Sequence, residues 1–370
     1  NAIRTVVVGG GVAANHRLRT KMTEAAARER INLFLTPLSL CTDNAAMVAG
    51  LGYHYLFGSL SASDVPRGIE MDPSQRNAVD GRHPANAAPK RSLGQVFLNS
   101  GAIVARIVAA LALKNGDAVV EIGPGRGALT RLLQAHEGPL TLVEKDDDLA
   151  GLLSERFKDS PMVRVLAMDA IGLNLDAVIV EAGKRVKVVA NLPYNAGTPI
   201  LMNLLRQRDR VERLVLMFQR EVARRLVATP GERTYGALSA HVQAQARVEA
   251  LFDVSPEKFV PHPKVWSSVV RITPLELDAD RARIVDNPTF EAFLRALHAQ
   301  PRKTVTNSLA DGLGGHRAAV EAGLVQAGID IRCRPCGISP DQAILLWQVM
   351  GCPVPDPARS PRDLMTDGRG

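Results

Sequence analysis

Apolar and polar positions alternate along this chain with three different rhythms. Between about residues 90 and 274, short apolar runs end abruptly at glycine or polar residues. Such runs predict strands buried on both faces. Val119-Val120-Glu121-Ile122 is one, and it enters the turn Gly123-Pro124-Gly125-Arg126-Gly127. A helix-like segment, Ala128 to Gln134, follows. Leu140 to Val143 predicts a second strand ending at Glu144, and Val163 to Ala167 a third, closed by Met168-Asp169-Ala170. Val186 to Ala190 predicts a fourth, ending at Asn191-Leu192-Pro193-Tyr194. From Pro288 the period becomes helical, with Phe290, Phe293, Leu294 and Leu297, then Val305 and Leu309, and Ile344, Leu345 and Trp347 to Val349 near the end. This predicts a small helical domain over 275–352, flanking one side of a cleft.

A separate pattern opens the chain. Val6-Val7-Val8 reads as a strand running into Gly9-Gly10-Gly11, followed by a helix with Leu18, Met22 and Ala25 on one face and a strand from Ile31 to Leu35. Residues 73–89 have no apolar period and hold Pro73, Pro84 and Pro89, which predicts a flexible linker. Residues 353–370, with Pro353, Pro355, Pro357 and Pro361, read as a disordered tail. The expected division is therefore 1–72, a linker at 73–89, an α/β sheet domain at 90–274, a helical domain at 275–352 and the tail. No internal repeat is evident.

Composition is that of a globular protein: 370 residues, 46% hydrophobic and 22% charged. The net charge is +7. Residues 1–72 hold 7 Lys and Arg against 6 Asp and Glu, which leaves 38 against 32 for the remainder. The basic excess thus lies in the larger part and suits a phosphate-rich partner. Arg220, Arg224 and Arg225 would share a helix face, and Arg302 with Lys303 forms a second basic point. No apolar run reaches the length of a membrane span, and no secretory signal is evident. Cys333 and Cys336 form one Cys-x-x-Cys, while Cys41 and Cys352 stand alone; a zinc site would need two more regularly spaced ligands. Free thiols in a reducing, cytoplasmic setting are expected.

The chemistry gathers at strand ends. In an open parallel sheet, ligands bind outside the carboxyl ends of the strands. Four successive ends carry Glu121 and Gly123, then Glu144, then Asp169, then Asn191. Glycines permit close backbone approach, and the following helix start offers N–H groups. Pro124 in the turn, and Glu121 before it, disfavour a pyrophosphate and tolerate a cationic sulfonium. Glu144, about 20 residues after the turn, is placed to grip a ribose diol, and Asp169 to accept from an adenine amine. Together they imply a site for S-adenosylmethionine. The Asn191 side-chain oxygen and a neighbouring backbone carbonyl can accept the two hydrogens of an exocyclic base amine. Pro193 turns that carbonyl inward, and Tyr194 offers a ring to an extruded base.

Residues from about Lys90 to Gly351 closely resemble the small-subunit ribosomal RNA adenine dimethyltransferases (the KsgA/RsmA family). The motifs are Lys90-Arg91-Ser92-Leu93-Gly94-Gln95-Val96-Phe97-Leu98, Glu121-Ile122-Gly123-Pro124-Gly125, Asn191-Leu192-Pro193-Tyr194-Asn195, Phe259-Val260-Pro261-His262-Pro263-Lys264-Val265 and Arg302-Lys303-Thr304-Val305-Thr306-Asn307-Ser308-Leu309. The resemblance implies a Rossmann-like S-adenosylmethionine-dependent methyltransferase with a small carboxyl-terminal helical domain. It implies a monomer that dimethylates the N6 amines of two adjacent adenosines in the 3′-terminal hairpin loop of 16S rRNA in the small ribosomal subunit. It also implies cofactor contacts at Val96, Leu98, Gly123, Glu144, Asp169 and Asn191, and catalytic roles for Asn191, Pro193, Tyr194 and Phe259, the last as a second stacking face. Departures from the pattern are Val96, Ala196-Gly197 (expected to loosen a helix start), Trp266 where an Asp is common, and Pro301 in the basic cluster. Two other readings remain. One is a large-subunit (23S) adenine methyltransferase of the macrolide-resistance type, which would lack the Arg302-to-Leu309 string and the Gly328-Ile329-Asp330 and Ile338-Ser339 signals. The other is a non-catalytic ribosome-assembly factor on the same fold, against which the intact tetrad and carboxylates argue.

Residues 1–72, with Val6 to Asn15 and Cys41-Thr42-Asp43-Asn44-Ala45-Ala46-Met47, resemble the carboxyl-terminal piece of the tRNA threonylcarbamoyladenosine transferases (the TsaD family, with an actin-like ATPase fold). The resemblance implies an adenylate contact at Asn15 and a metal ligand at Asp43. The family's two metal-binding histidines would lie upstream of Asn1. A gene fragment or fusion carrying part of an actin-like lobe, inactive alone, is expected.

Overall fold

The computed structural model describes residues 5–8, 16–28, 32–35, 95–179, 185–313 and 316–351. Asn15, Asp43, Cys41, Cys352, the 73–89 linker and the 353–370 tail lie outside the described residues. The chain divides into two compact units, Asn1–Val79 and Asp80–Gly370.

In the first unit, β1 (Thr5–Val8) and β2 (Asn32–Leu35) pair in parallel, with Thr5 opposite Asn32 and Val8 opposite Leu35. Helix α1 (His16–Arg28) connects them. Parallel neighbours require such a crossover.

The second unit begins with the two-residue strand β3 (Phe97–Leu98) and α2 (Gly101–Ala110). There follow β4 (Ala118–Ile122), the single turn α3 (Thr130–Leu133), β5 (Leu140–Glu144), α4 (Asp147–Arg156), β6 (Val163–Ala167), β7 (Val186–Asn191), α5 (Gly197–Arg206) and β8 (Val211–Gln219). Next are α6 (Arg220–Val227), α7 (Ala237–Gln243), β9 (Ala246–Val254), β10 (Phe259–Val260) and β11 (Ser267–Pro274). Seven strands form one sheet in the order β6-β5-β4-β7-β8-β11-β9, and β11 runs antiparallel to both of its neighbours. The chain builds outward from β4 to β6, then returns to place β7 on the other side of β4. That reversal opens a crevice between the carboxyl ends of β4 and β7.

Side chains alternate between two cores. Val120, Ile122, Val188, Ala190, Leu214 and Leu216 pack on one face, and Val119, Val189, Val215 and Met217 on the other. Each strand therefore reads as continuously apolar. Lys187 interrupts the apolar run of β7 and is 1% exposed. Its ammonium donates to the Ala112 carbonyl at 2.8 Å and pairs with Asp117 at 2.6 Å and Glu212 at 3.3 Å.

The helix expected over Ala128 to Gln134 is one turn long. Gly127 holds φ +77° and donates to the Pro124 carbonyl, so the chain is still turning at 125–129. The helix start at Gly197 is also tighter than expected. A Cβ there would lie 3.1 Å from the Phe218 ring, so glycine allows close packing at that point.

Beyond β11 come α8 (Ala279–Val285), α9 (Pro288–His298), α10 (Val305–Gly312), α11 (Arg317–Gln326) and α12 (Pro340–Val349). They share a third core containing Phe290, Phe293, Leu297, Val305, Leu309, Leu324, Leu346 and Trp347. Side-chain caps fix their starts: Asn287 for α9, Thr304 for α10, and Ser339 with Gln342 as a capping box for α12. Thr306 donates to the Ile331 carbonyl and Ser308 to the Ala296 carbonyl, so polar members of the Arg302-to-Leu309 string hold this bundle together. Arg208, 5% exposed, joins the bundle to the sheet through a bidentate pair with Asp286 at 2.7 and 2.8 Å. Among the described residues, no helix is long and apolar enough to cross a membrane.

Candidate active site

The register of β4 against β7 places Ile122 opposite Ala190, so Gly123 comes abreast of Asn191. A Cβ on Gly123 would lie 3.8 Å from the Asn191 carbonyl oxygen. Gly123 and Gly125 hold φ +66° and +54°, a region that favours glycine, and a Cβ on Gly125 would meet the Phe97 ring at 3.0 Å. An open cleft lies beside the loop at the switch point. Its walls include Val96, Leu98, Gly123, Glu144, Asn191, Pro193 and Tyr194. An adjoining recess of about 550 Å³ shares Gly123, Glu144 and Pro193 and adds Asp169. All the expected site residues except Phe259 thus come together.

Phe259 is the exception. It is 1% exposed within the core that holds Leu98, Val254 and Val269, and β10 pairs with β3 so that Phe259 faces Leu98 in the register. It lines neither part of the cleft in this arrangement, and the stacking surface expected of it is covered.

Glu144 ends β5 and is 6% exposed. Its carboxylate accepts the Gly125 N–H at 2.9 Å and the Asp146 N–H at 3.0 Å, while burial raises its pKa. These bonds tie the glycine loop to the neighbouring strand. Asp169 accepts from Lys145 at 2.7 Å and from the Ile171 N–H at 3.0 Å, and the lysine bond leads in lowering its pKa. Glu121 lies under the loop, 1% exposed, and accepts from the Thr130 hydroxyl at 2.7 Å. Burial pushes its pKa up to about 8. The shift favours its protonated form, which weakens the expectation that its charge repels a pyrophosphate.

Asn191 is oriented by a group far away in sequence. Its Nδ2 donates to the Val96 carbonyl at 2.9 Å. This bond fixes which end of the amide is which and leaves the oxygen as its acceptor for the cleft. The Pro193 carbonyl already accepts from the N–H groups of Ala196 and Gly197 at the start of α5. Tyr194 shares a hydrogen bond of 2.9 Å with Ser267, and burial raises its pKa. Sequence reasoning missed Lys145, Ser267, Thr130 and the bond from Gln95 to Asp146 at 2.8 Å. Gln95 stands inside a quoted motif, but its partner is visible only in three dimensions. Cys333 and Cys336 are free thiols, and no group of three or more His, Cys, Asp or Glu suited to a metal occurs among the described residues.

Residues 86–333, about two thirds of the chain, match the family model described as ribosomal RNA adenine dimethylase. The chain belongs to this family. A member from Levilactobacillus brevis, named ribosomal RNA small subunit methyltransferase A, is 38% identical over 71% of this chain and 90% of its own length. The crystal structure of a dimethyladenosine transferase from Plasmodium falciparum shares the fold, with TM-score 0.57 and 22% identity over 70% of this chain and 99% of that one. That of the 23S rRNA methyltransferase ErmE aligns with TM-score 0.51 and 25% identity over 69% of this chain and 99% of that one. Residues 1–50 match a second model, tRNA N6-adenosine threonylcarbamoyltransferase. That match is shorter than the resemblance drawn over residues 1–72, and an actin-like lobe is not shown by it.

The adenine dimethylases are S-adenosylmethionine-dependent, and the residues here fit that donor. The glycine loop is closely packed, with a Cβ at Gly125 only 3.0 Å from the Phe97 ring, and the buried Glu144 carboxylate stands at the next strand end, where a ribose diol is bound.

Proposed function

We propose that this protein dimethylates the exocyclic N6 amines of two adjacent adenosines in the 3′-terminal hairpin loop of 16S rRNA in the small ribosomal subunit. It acts as a cytoplasmic monomer. The bond from Asn191 Nδ2 to the Val96 carbonyl carries this reading, because it presents the amide as an acceptor beside the glycine loop. With the Pro193 carbonyl engaged at the helix start, the Leu192 carbonyl is the second acceptor. Two acceptors hold both amine hydrogens and favour a pyramidal nitrogen whose lone pair is released from the ring. S-adenosylmethionine supplies a methyl already activated on sulfur, so the protein's task is alignment. Tyr194, steadied by Ser267, gives the extruded base a face to stack on. Glu144 holds the ribose and Asp169 the adenine of the donor. Val96, Leu98 and Gly123 form its walls. After transfer the nitrogen loses a proton to water. The second transfer proceeds with one amine hydrogen bond fewer.

The relative named for the small subunit, 38% identical over 90% of its own length, supports the small-subunit target. The test is transfer of labelled methyl to undermethylated small subunits, followed by nucleoside mapping. Two adjacent N6,N6-dimethyladenosines near the 3′ end are expected. Label confined to large-subunit RNA, or no label, would overturn the reading.

A further inference from the structure

The segment between β10 and β11 leads into Ser267, the hydrogen-bond partner of Tyr194 in the cleft wall, and is not used by the mechanism above. It runs Pro261-His262-Pro263-Lys264-Val265-Trp266. Val265 and Trp266, adjacent in the segment, are both 43% exposed, and Val260 at the end of β10 is 41% exposed. Lys264 is exposed among them. Trp266 is held at both sides. Its carbonyl accepts the Arg220 N–H at 2.9 Å, and the Arg220 guanidinium lies 5.2 Å from the centre of its ring. The next residue, Ser267, is the hydrogen-bond partner of Tyr194. Arg224, exposed one helical turn after Arg220 on α6, adds positive charge.

We infer that Trp266 and Arg220 form a stacking platform for an unpaired nucleotide adjoining the adenosine in the cleft. The inference rests on the rRNA reading and adds to it a determinant of substrate recognition. Three observations favour RNA as the occupant. An exposed indole beside a guanidinium is the surface on which single-stranded bases stack. Arg224 and Lys264, with Arg220 whose guanidinium also pairs with Asp253 at 3.7 Å, complement a phosphate backbone. The Tyr194–Ser267 bond makes the platform continuous with the wall of the target pocket, one residue away along β11. A base pulled from the loop stays covalently tied to its neighbours, so a neighbour must lie near this wall when the target enters. Stacking there would oppose the cost of unstacking the loop.

The test uses the full chain. The chain has two tryptophans, and Trp347 is 4% exposed in the helical core. Quenching on RNA binding would therefore report on Trp266. The probe is an RNA hairpin with two adjacent adenosines in its loop. Its addition should quench the fluorescence of the wild type and leave that of Trp266→Phe unchanged. With undermethylated small subunits, Trp266→Ala should raise KM about tenfold, leaving kcat and S-adenosylmethionine affinity within about twofold, and Trp266→Phe should restore KM. An unchanged KM in Trp266→Ala, a fall in kcat instead, or a raised KM on subunits with no quenching by the hairpin would each overturn the platform, the last by pointing to a ribosomal protein. Loss of methyl transfer by the wild type would instead remove the rRNA reading itself.

Discussion

Glu121 is 1% exposed beneath the glycine loop, and burial leads in raising its pKa to about 8, with the nearby Glu144 adding to the rise. Its folded pKa lies above the ordinary value of 4.5, so the native state binds the extra proton. The stability this contributes is full below about pH 4.5 and is lost as pH rises through about 8. The thermal midpoint of the wild type, measured against that of Glu121→Gln, should therefore fall between about pH 5 and pH 8. The variant keeps an acceptor for Thr130 and cannot ionise, so the comparison cancels the opposite slope of the buried His241 and His298. Parallel profiles for the two proteins would show that Glu121 titrates normally. At this scale the sequence located the side chains of the cleft better than it showed their state. Glu144, Asp169 and Asn191 could be located because each closes an apolar run, and Glu121 because it interrupts one just before the glycine turn. Their protonation and hydrogen bonding depend on Thr130, Gly125, Lys145 and Val96, and such contacts leave no periodic signal.

Four of the seven strands of the sheet, β4 to β7, were legible as apolar runs with sharp ends; β8, β9 and β11, which complete the sheet, were not read from the sequence. Less was legible where an element depends on a remote partner. Phe259 has the residue type of a stacking face, but pairing between β10 and β3 puts its ring in the core. Lys187 sits inside a run that reads as apolar, and its partners Asp117 and Glu212 come from other strands or their approaches. Those partners are 20% and 44% exposed and can turn to water. Lys187→Met should therefore cost about 2 kcal/mol, below the about 3–5 kcal/mol typical of breaking a fully buried pair. Urea unfolding should show this loss with unchanged affinity for S-adenosylmethionine, because Lys187 lies near the amino end of β7 and Asn191 at its carboxyl end. A stability equal to wild type would show that the pair adds nothing to the sheet.

Across the whole molecule, two sequence matches and two compact units coexist in one chain. The boundaries 73–89 and 275–352 remain our proposal for its organisation, with the Arg208–Asp286 pair binding the helical bundle to the sheet. In the second unit, our proposal is that the β4–β7 switch point aligns a base amine through Asn191. The most direct measurement is methyl transfer to undermethylated small subunits by Asn191→Ala, with donor affinity measured by calorimetry on the same protein. A fall in kcat of at least about 100-fold is expected, the scale of losing one aligned polar contact at a reacting centre, with donor affinity within a few-fold of wild type. Near-normal turnover by Asn191→Ala would contradict it.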